Sequence, residues 1–486
     1  MGCMSALPYI VTIPYASAIE DFAPYAPLKG SFLLDSSLFS QKQGRFSFWG
    51  YNPKALFQSQ EGLVTVQDHT TIQSPHLALK EFYQKVVHLP HDPYFPFCGG
   101  LVGFLSYEWG AAIENIAGAS NDSDLSLPDS WFGLYDTVVG YDHLEKVSWV
   151  ASMGLDENLE CDVDLAKERA EKLASHLESM RRIPEVRSYD RTIIRWNNED
   201  NLRSSATKKH YLDSIQKILD YLRAGDCYQV NLTQRFMAAA PFSPWEQYLK
   251  LREVSPAPYS CFLNGGSFQI LSSSPESLLQ ANADGTLITR PIKGTRPRGQ
   301  TPKEDQKLRE ELIQSTKDQA ELLMITDLER NDLGKVCVPG SIEVPELRTI
   351  ETFAQVHHLL STIRGKRKEE LDIIDCLTAL MPGGSITGAP KIRSMEIIHE
   401  LETVSRGIYT GAIGFLGPAN TASFNIAIRT MILKEATAYF STGGGIVIDS
   451  DPETEYEETL TKAKGMMEAL GLGRTMDQGP GTIDHG

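Results

Sequence analysis

Ser423-Phe424-Asn425-Ile426-Ala427-Ile428-Arg429-Thr430-Met431-Ile432-Leu433 alternates at a period of two as far as Arg429. Phe424, Ile426 and Ile428 fall on one face, and Asn425, Ala427 and Arg429 on the other. That period predicts one continuous strand. Strands are predicted on both sides of it, at 407–416 and 438–448. Working outward, the region from about 28 to 150 is rich in short β-like runs. They include Ser31-Phe32-Leu33-Leu34-Asp35 and the glycine-punctuated run from Cys98 to Glu108. Helical spacing appears at 156–182, at 303–330 and at 369–381. It also appears in the stripe Tyr211, Ile215, Ile218, Leu219 and Leu222, which Gly225 closes. Pro390 starts another helix. The last begins at Ser450-Asp451-Pro452-Glu453, where Ser450 and Glu453 have capping-box spacing.

The polar stretch 186–204 reads as a connector. It joins a β-rich amino-terminal part, 1–185, to a second region, 205–472, and a Gly-rich tail, 473–486, reads as disordered. Hydrophobic content of 41% and charged content of 22% are those of a soluble globular protein. No run of about 20 apolar residues is present, so no membrane span is expected. The first residues lack a secretory pattern, and Ala6 stands where myristoylation wants Ser or Thr. The 7 scattered cysteines have no zinc-type spacing and fit a reducing cytoplasm. A net charge of −17 argues against nucleic acid. It also means that an anionic substrate needs a local island of positive charge.

Arg290-Pro291-Ile292-Lys293-Gly294-Thr295-Arg296-Pro297-Arg298-Gly299 follows a strand-like run, Thr286-Leu287-Ile288-Thr289. Two Gly and two Pro predict a fixed turn there, with Lys293 inside it. A free lysine, with a pKa of about 10.4, is a weak nucleophile near neutrality. Desolvation would lower that pKa and let the amine attack carbon. On the last helix, Tyr456, Leu460, Ala463 and Met467 mark a buried stripe. Glu455, Glu458 and Lys462 share another face. That face is either solvated or a place where Glu458 holds a divalent metal and Lys462 an anion. Glu321 sits in an apolar stretch, where an unpaired carboxylate is costly. Few carboxylates and no His or Cys cluster suit Mg2+. Two amides, Gln229 and Asn231, share one side of the alternating run Cys227–Phe236, as a wet sheet face or as ligand groups. The loop Pro382–Lys391 lacks a phosphate-loop lysine, since Ala389 occupies that place, but it is glycine-rich and leads into a helix.

Taken together, these motifs make a chain that resembles the chorismate-utilising enzymes over nearly its whole length, most strongly from about 205 to 470. The carrying segments are Ala224–Leu232, Ser274-Pro275-Glu276-Ser277, Pro291-Ile292-Lys293-Gly294-Thr295, Asp327-Leu328-Glu329-Arg330-Asn331-Asp332, the loop Gly383–Lys391 and Glu455-Tyr456-Glu457-Glu458. The resemblance implies an α+β fold: a layered sandwich of two antiparallel β-sheets flanked by helices. It implies amination of chorismate with ammonia to 4-amino-4-deoxychorismate, toward p-aminobenzoate and folate. Lys293 would be the nucleophile and Glu276 the general acid. Glu321, Glu455 and Glu458 would hold Mg2+. Gly294, Thr295, His358, Tyr409, Arg429, Gly443, Gly444, Gly445 and Lys462 would hold the substrate, with Lys391 and Thr387 as looser matches. Lys293 favours this reaction over the anthranilate-forming branch of the family, which typically has alanine there. No glutaminase nucleophile turn is present, so a separate glutamine amidotransferase subunit is expected to supply ammonia. Leu34, Asp35 and Ser36, with Pro258, Tyr259 and Ser260, match the places where the family builds a tryptophan pocket, and a merely structural cavity is the alternative.

Overall fold

Two large sheets carry the strands in this computed structural model, which describes residues 7–39, 43–114, 116, 124–182, 202–353, 355–472 and 481–482. One sheet has 13 strands and the other 12. Neighbouring strands pair antiparallel, except for the two-residue pair Arg203–Ser204 with Gly481–Thr482. Each sheet draws on both halves of the chain. Phe32–Asp35 pairs with Tyr259–Asn264 in the first sheet, and Gly100–Leu105 pairs with Ala412–Leu416 in the second. The expected connector and tail lie outside the described residues, apart from 202–204 and 481–482.

The inner faces of the sheets interlock through aromatic rings. Phe32 meets Tyr135 with centroids 4.5 Å apart, Phe48 meets Phe415 at 5.9 Å, and Phe104 meets Phe268 at 6.0 Å. Such pairs contribute roughly 0.5–1.5 kcal/mol each beyond their buried area, whereas an exposed ion pair contributes about 0–1. Ring packing therefore sets how the layers sit. Helices cover the outer faces. Pro452–Ala469 lies on the strand Thr437–Ile446, burying Tyr456, Leu460, Ala463 and Met467 as the spacing predicts. Thr316–Val336 lies on the strand Val356–Lys366. The architecture is the layered α+β sandwich expected from the sequence.

Four local departures from the expected elements shape the site. The predicted strand at 423–433 is two strands in different sheets: Ala422–Ile426 in the second and Thr430–Lys434 in the first. The chain crosses between them through a tight bend, in which the Ile428 N–H donates to Ile426 O and Arg429 takes φ +48°. The alternation breaks at the adjacent polar residues Arg429 and Thr430, but such a break does not by itself reveal a change of sheet. The predicted helix at 303–330 is two helices, Pro302–Gln314 and Thr316–Val336. Ser315 ends the first and caps the second by accepting from the Asp318 N–H. The predicted capping box at Ser450 and Glu453 does not form. Asp451 caps the helix by accepting from the Thr454 N–H at 2.9 Å, which leaves the Ser450 hydroxyl free to hold Glu455. The predicted turn around Lys293 is a second strand, Ile292–Pro297, entered through Pro291.

Candidate active site

That second strand carries a bulge. Ile292 pairs with Leu360 and Thr295 with His358, so three steps on one strand match two on the other. The extra residue re-aims a side chain out of the pleat. Gly294 makes this possible: its φ is +78°, and a Cβ there would lie 2.8 Å from Leu312 Cδ1 and 2.9 Å from Asp318 Cγ. Beside it, the Lys293 ammonium donates to the Ser385 carbonyl oxygen at 3.1 Å, which ties the bulge to the glycine-rich loop. Glu276 is buried and accepts a 3.2 Å hydrogen bond from the Ile292 N–H.

Lys293 and Glu276 are shifted toward their neutral forms. Burial lowers the lysine pKa, against the carboxylates of Glu321, Glu276 and Glu458, which favour its charge. Burial raises the Glu276 pKa, against Lys293, the Ile292 N–H and the Ser385 hydroxyl, which favour the carboxylate. An amine beside a carboxylic acid holds the same single proton as an ammonium beside a carboxylate, so the pair titrates as a unit. Lys293 keeps partial solvent access, which an attacking group requires.

The remaining acidic residues gather on one side. Burial raises the pKa values of Glu321 and Glu455, and Glu455 acts electrostatically on Glu321. Ser450 donates to Glu455 Oε1 at 2.6 Å, and Glu455 Oε2 lies 3.0 Å from where a Gly444 Cβ would stand. A side chain at 444 would press on that carboxylate, and the glycine leaves it room. Glu458 is paired with Lys462 at 2.7 Å, and the same ammonium donates to Gly443 O at 2.9 Å. Lys462 and its neighbours chiefly account for the lowered Glu458 pKa, overriding burial. Among the described residues, no three His, Cys, Asp or Glu side chains converge as a ready metal cage. The donors nevertheless suit a hard cation: carboxylate oxygens, one on the buried Glu455 and one on the half-buried Glu321, where charge is unfavourable without a positive partner.

A second set of groups is cationic and neutral. The Arg429 guanidinium has no ion pair or hydrogen bond among the described residues, and burial lowers its pKa. His358 is buried, and its Nδ1 is hydrogen-bonded to Thr295 Oγ1 at 2.9 Å. Burial chiefly, then Arg429 and His357, pushes the His358 pKa down to about 3. Tyr409 is buried in the segment that runs beside Arg429, where the Thr410 N–H donates to Ala427 O. Burial raises its pKa. The looser candidates lie elsewhere. Lys391 is committed to Asp332 at 2.5 Å, and the Thr387 hydroxyl to Gly383 O.

Gln229 is the polar group whose importance the sequence left open. Its strand, Gln229–Ala239, is buried on both sides, so the wet-face alternative is excluded there. Among the described residues neither of its buried amide atoms has a partner, and the amide lies 3.0 Å from where a Gly445 Cβ would be. The signal was available in the pairing of two amides on one strand face.

A separate cavity of about 510 Å3 lies between the sheets, lined by Leu34, Asp35, Ser36, Pro258, Tyr259 and Ser260 together with aromatic rings such as Phe48. Asp35 is buried and already bound by Arg252 Nε at 2.6 Å and the Tyr248 hydroxyl at 2.9 Å.

Comparison with known proteins points one way. Residues 35–468 match the model of the chorismate binding enzyme family. The chain is 38% identical to aminodeoxychorismate synthase component 1 of Bacillus subtilis, over 89% of this chain and 91% of that protein. It is 35% identical to anthranilate synthase component 1 of Acetivibrio thermocellus, over 90% of each. The crystal structure of anthranilate synthase component I from Streptococcus pneumoniae superposes with a TM-score of 0.74 at 32% identity, covering 87% of this chain and 92% of that one.

Proposed function

From the premise that the chain belongs to the chorismate binding enzyme family, we propose that it aminates chorismate to 4-amino-4-deoxychorismate, the activity named for its Bacillus subtilis relative. The observation that carries this reading is the bulge that holds the Lys293 amine beside a buried carboxylic acid, Glu276.

The chemistry divides into two displacements. The 4-hydroxyl of chorismate is a poor leaving group and needs a proton, which Glu276 donates. Lys293 Nζ bonds to C2, both conjugated ring double bonds shift, and the C4–O bond breaks to release water. Ammonia then bonds to C4, both double bonds shift back, and the C2–N bond breaks to restore Lys293. The proton shed by the incoming nitrogen returns to Glu276. The sum is chorismate plus ammonia giving the amino product plus water. Arg429 and Lys462 would meet the substrate's carboxylates, Thr295 and His358 its polar edge, and the Gly443–Gly445 backbone its flank. Tyr409 would pack near Arg429.

Glu321, Glu455 and Glu458 would hold Mg2+, with Lys462 released from Glu458 to the substrate. A bound Mg2+ supplies positive charge for a substrate carboxylate in a chain of net charge −17. Ammonia would come from a separate glutamine amidotransferase subunit, consistent with relatives named as component 1. We place the enzyme in the cytoplasm, since the six described cysteines are free and no described helix is long and apolar enough to cross a membrane. The inter-sheet cavity has room for the side chain of tryptophan. Its ammonium would have to be met by groups other than Asp35, whose charge Arg252 already neutralises.

The deciding experiment is incubation with chorismate, Mg2+ and ammonium, with a lyase coupled to the product. Formation of p-aminobenzoate supports the reading. Direct appearance of fluorescent anthranilate would instead assign the activity named for the Acetivibrio relative.

A further inference from the structure

The guanidinium of Arg406 has no part in the two displacements. It lies in the connection between the helix Lys391–Leu401 and the strand Ala412–Leu416. Its side chain is 2% exposed, and five hydrogen bonds occupy the five N–H groups of the fork. Nε donates to Glu402 Oε2 at 2.9 Å, and Nη2 donates to Glu402 Oε1 and to Asn231 O, each at 2.6 Å. Nη1 donates to Ile386 O at 2.9 Å and to the Thr410 hydroxyl at 3.4 Å. Glu402 in turn accepts from the Thr233 N–H and hydroxyl, each at 2.9 Å. The Arg406 N–H donates to Glu108 Oε1 at 2.8 Å, so backbone and side chain are both held.

A buried ion pair such as Arg406–Glu402 is weak evidence for stability, because desolvation of both charges can cancel their attraction. The placement of this guanidinium is more telling. Ile386 follows Ser385, whose carbonyl oxygen accepts from the Lys293 ammonium at 3.1 Å, and both carbonyls belong to the single turn Gly384–Ile386. Asn231 lies opposite Gly445 in the strand Gln229–Ala239. Its N–H donates to Thr387 O at 2.8 Å, while its carbonyl accepts from Arg406. The other hydrogen bonds between this strand and the glycine-rich loop lie at Thr387 and at the pairing of Gln229 and Val230 with Ala389 and Gly388. They fix the end of the loop. Arg406 fixes its middle, one residue from the carbonyl that meets Lys293.

We propose that Arg406 is a positioning residue for the nucleophile: by tying Ile386 O to the strand at Asn231, it fixes the Ser385 carbonyl oxygen on which the Lys293 amine rests, and so sets where Nζ meets the substrate carbon. The inference rests on the reading of Lys293 as the nucleophile. It places the effect of Arg406 on turnover rather than on substrate binding. The Gly443–Gly445 backbone is held by the long pairing of 230–239 with 437–446, independently of the guanidinium. The contact leading toward Arg429 runs through Thr410 and is the longest of the five, at 3.4 Å.

Arg406→Lys keeps a positive charge beside Glu402 but lacks the planar fork, so it cannot serve Glu402, Asn231 O and Ile386 O together. Its kcat should fall about tenfold or more, since a misplacement of about 1 Å at the reacting atoms can cost about a hundredfold. Its KM for chorismate should stay within about threefold of wild type, because the binding groups remain in place. Equilibrium titration with chorismate and Mg2+, in the absence of ammonia, counts the intact sites. Full stoichiometry with lowered kcat supports the proposal. An unchanged kcat per intact site, with the loss confined to Tm or to the number of sites, overturns it, as does a raised KM with kcat retained. If Arg406→Lys does not fold, the double variant Glu402→Gln with Arg406→Gln, in which neither charge is stranded, is measured in the same way. Failure of both to fold would make the cluster a requirement of folding alone and would also overturn the proposal. Lys293→Ala is measured alongside. Full activity there would overturn the nucleophile assignment itself, whereas its loss with kcat per site intact in Arg406→Lys would overturn this proposal alone.

Discussion

Arg429, a half-buried cation, acts on His358, and burial first and this charge second keep the imidazole neutral, with its pKa pushed down to about 3. The guanidinium itself is left without a partner among the described residues. A partly desolvated cation without a partner is unfavourable unless a ligand neutralises it. In a chain of net charge −17 this is the positive island that an anionic substrate requires.

Arg429→Ala should therefore raise KM for chorismate by about tenfold or more, since hydrogen bonds to charged groups contribute about 1.5–3 kcal/mol. Arg429→Lys should recover part of the loss, because a lysine keeps the charge but not the planar fork. Steady-state kinetics on the folded variants decide this. An unchanged KM in Arg429→Ala would remove the anion-binding role.

Lys293→Ala should lower product formation at least about tenfold, as expected when a positioned nucleophile is removed. Lys293→Arg should fare no better, since a guanidinium does not deprotonate in this range. Because burial depresses the Lys293 pKa, the amine form is reached at lower pH than for a free lysine. The acid limb of kcat/KM should accordingly lie below the ordinary lysine range. Full turnover by Lys293→Ala would exclude covalent catalysis at this position.

Most helices and several strands were legible in the sequence from period and turn residues, whereas the layered sandwich was expected from the family resemblance. The crossing at Arg429 was not legible, since the break in alternation at Arg429 and Thr430 does not tell a strand end from a change of sheet, and the bend is made by backbone hydrogen bonds. The bulge at Lys293 was also hidden. Pro291 and Gly294 signal a stop, but pairing with the distant residues Leu360 and His358 turns that stop into a kinked strand. Ser450 and Asp451 exchanged roles because Glu455, one turn on, competes for the serine hydroxyl. In each case a partner far along the chain, or across a sheet, decided between local alternatives. The electrostatic contacts around Lys293 are likewise long-range and have no local signature.

His358 gives a stability prediction with a definite sign. Its folded pKa is about 3, against about 6.5 for an unfolded histidine. Between those values the unfolded chain binds the extra proton, so stability falls as pH drops from about 6.5 toward 3. His358→Gln should flatten this slope, losing less Tm than wild type between pH 6 and pH 4. Parallel melting curves for the two proteins across that interval would show that His358 is not held neutral.

Glu455 is the most informative of the acidic residues for metal binding. It is buried, its pKa is raised, and its hydrogen-bonding partner is the neutral Ser450 hydroxyl. Glu458 is neutralised by Lys462, so a cation binding there must compete with an ammonium. Mg2+ binding to the free protein should consequently be weak and should strengthen when chorismate draws Lys462 away. Thermal melting reads this without turnover, because a ligand that binds only the folded chain raises Tm. Mg2+ alone should shift Tm little, and Mg2+ with chorismate should shift it more than the two separate effects combined. Glu455→Gln should abolish the excess, and it should melt higher than wild type in metal-free buffer at neutral pH, because a buried carboxylate is removed. The same excess in Glu455→Gln as in wild type would place the cation elsewhere.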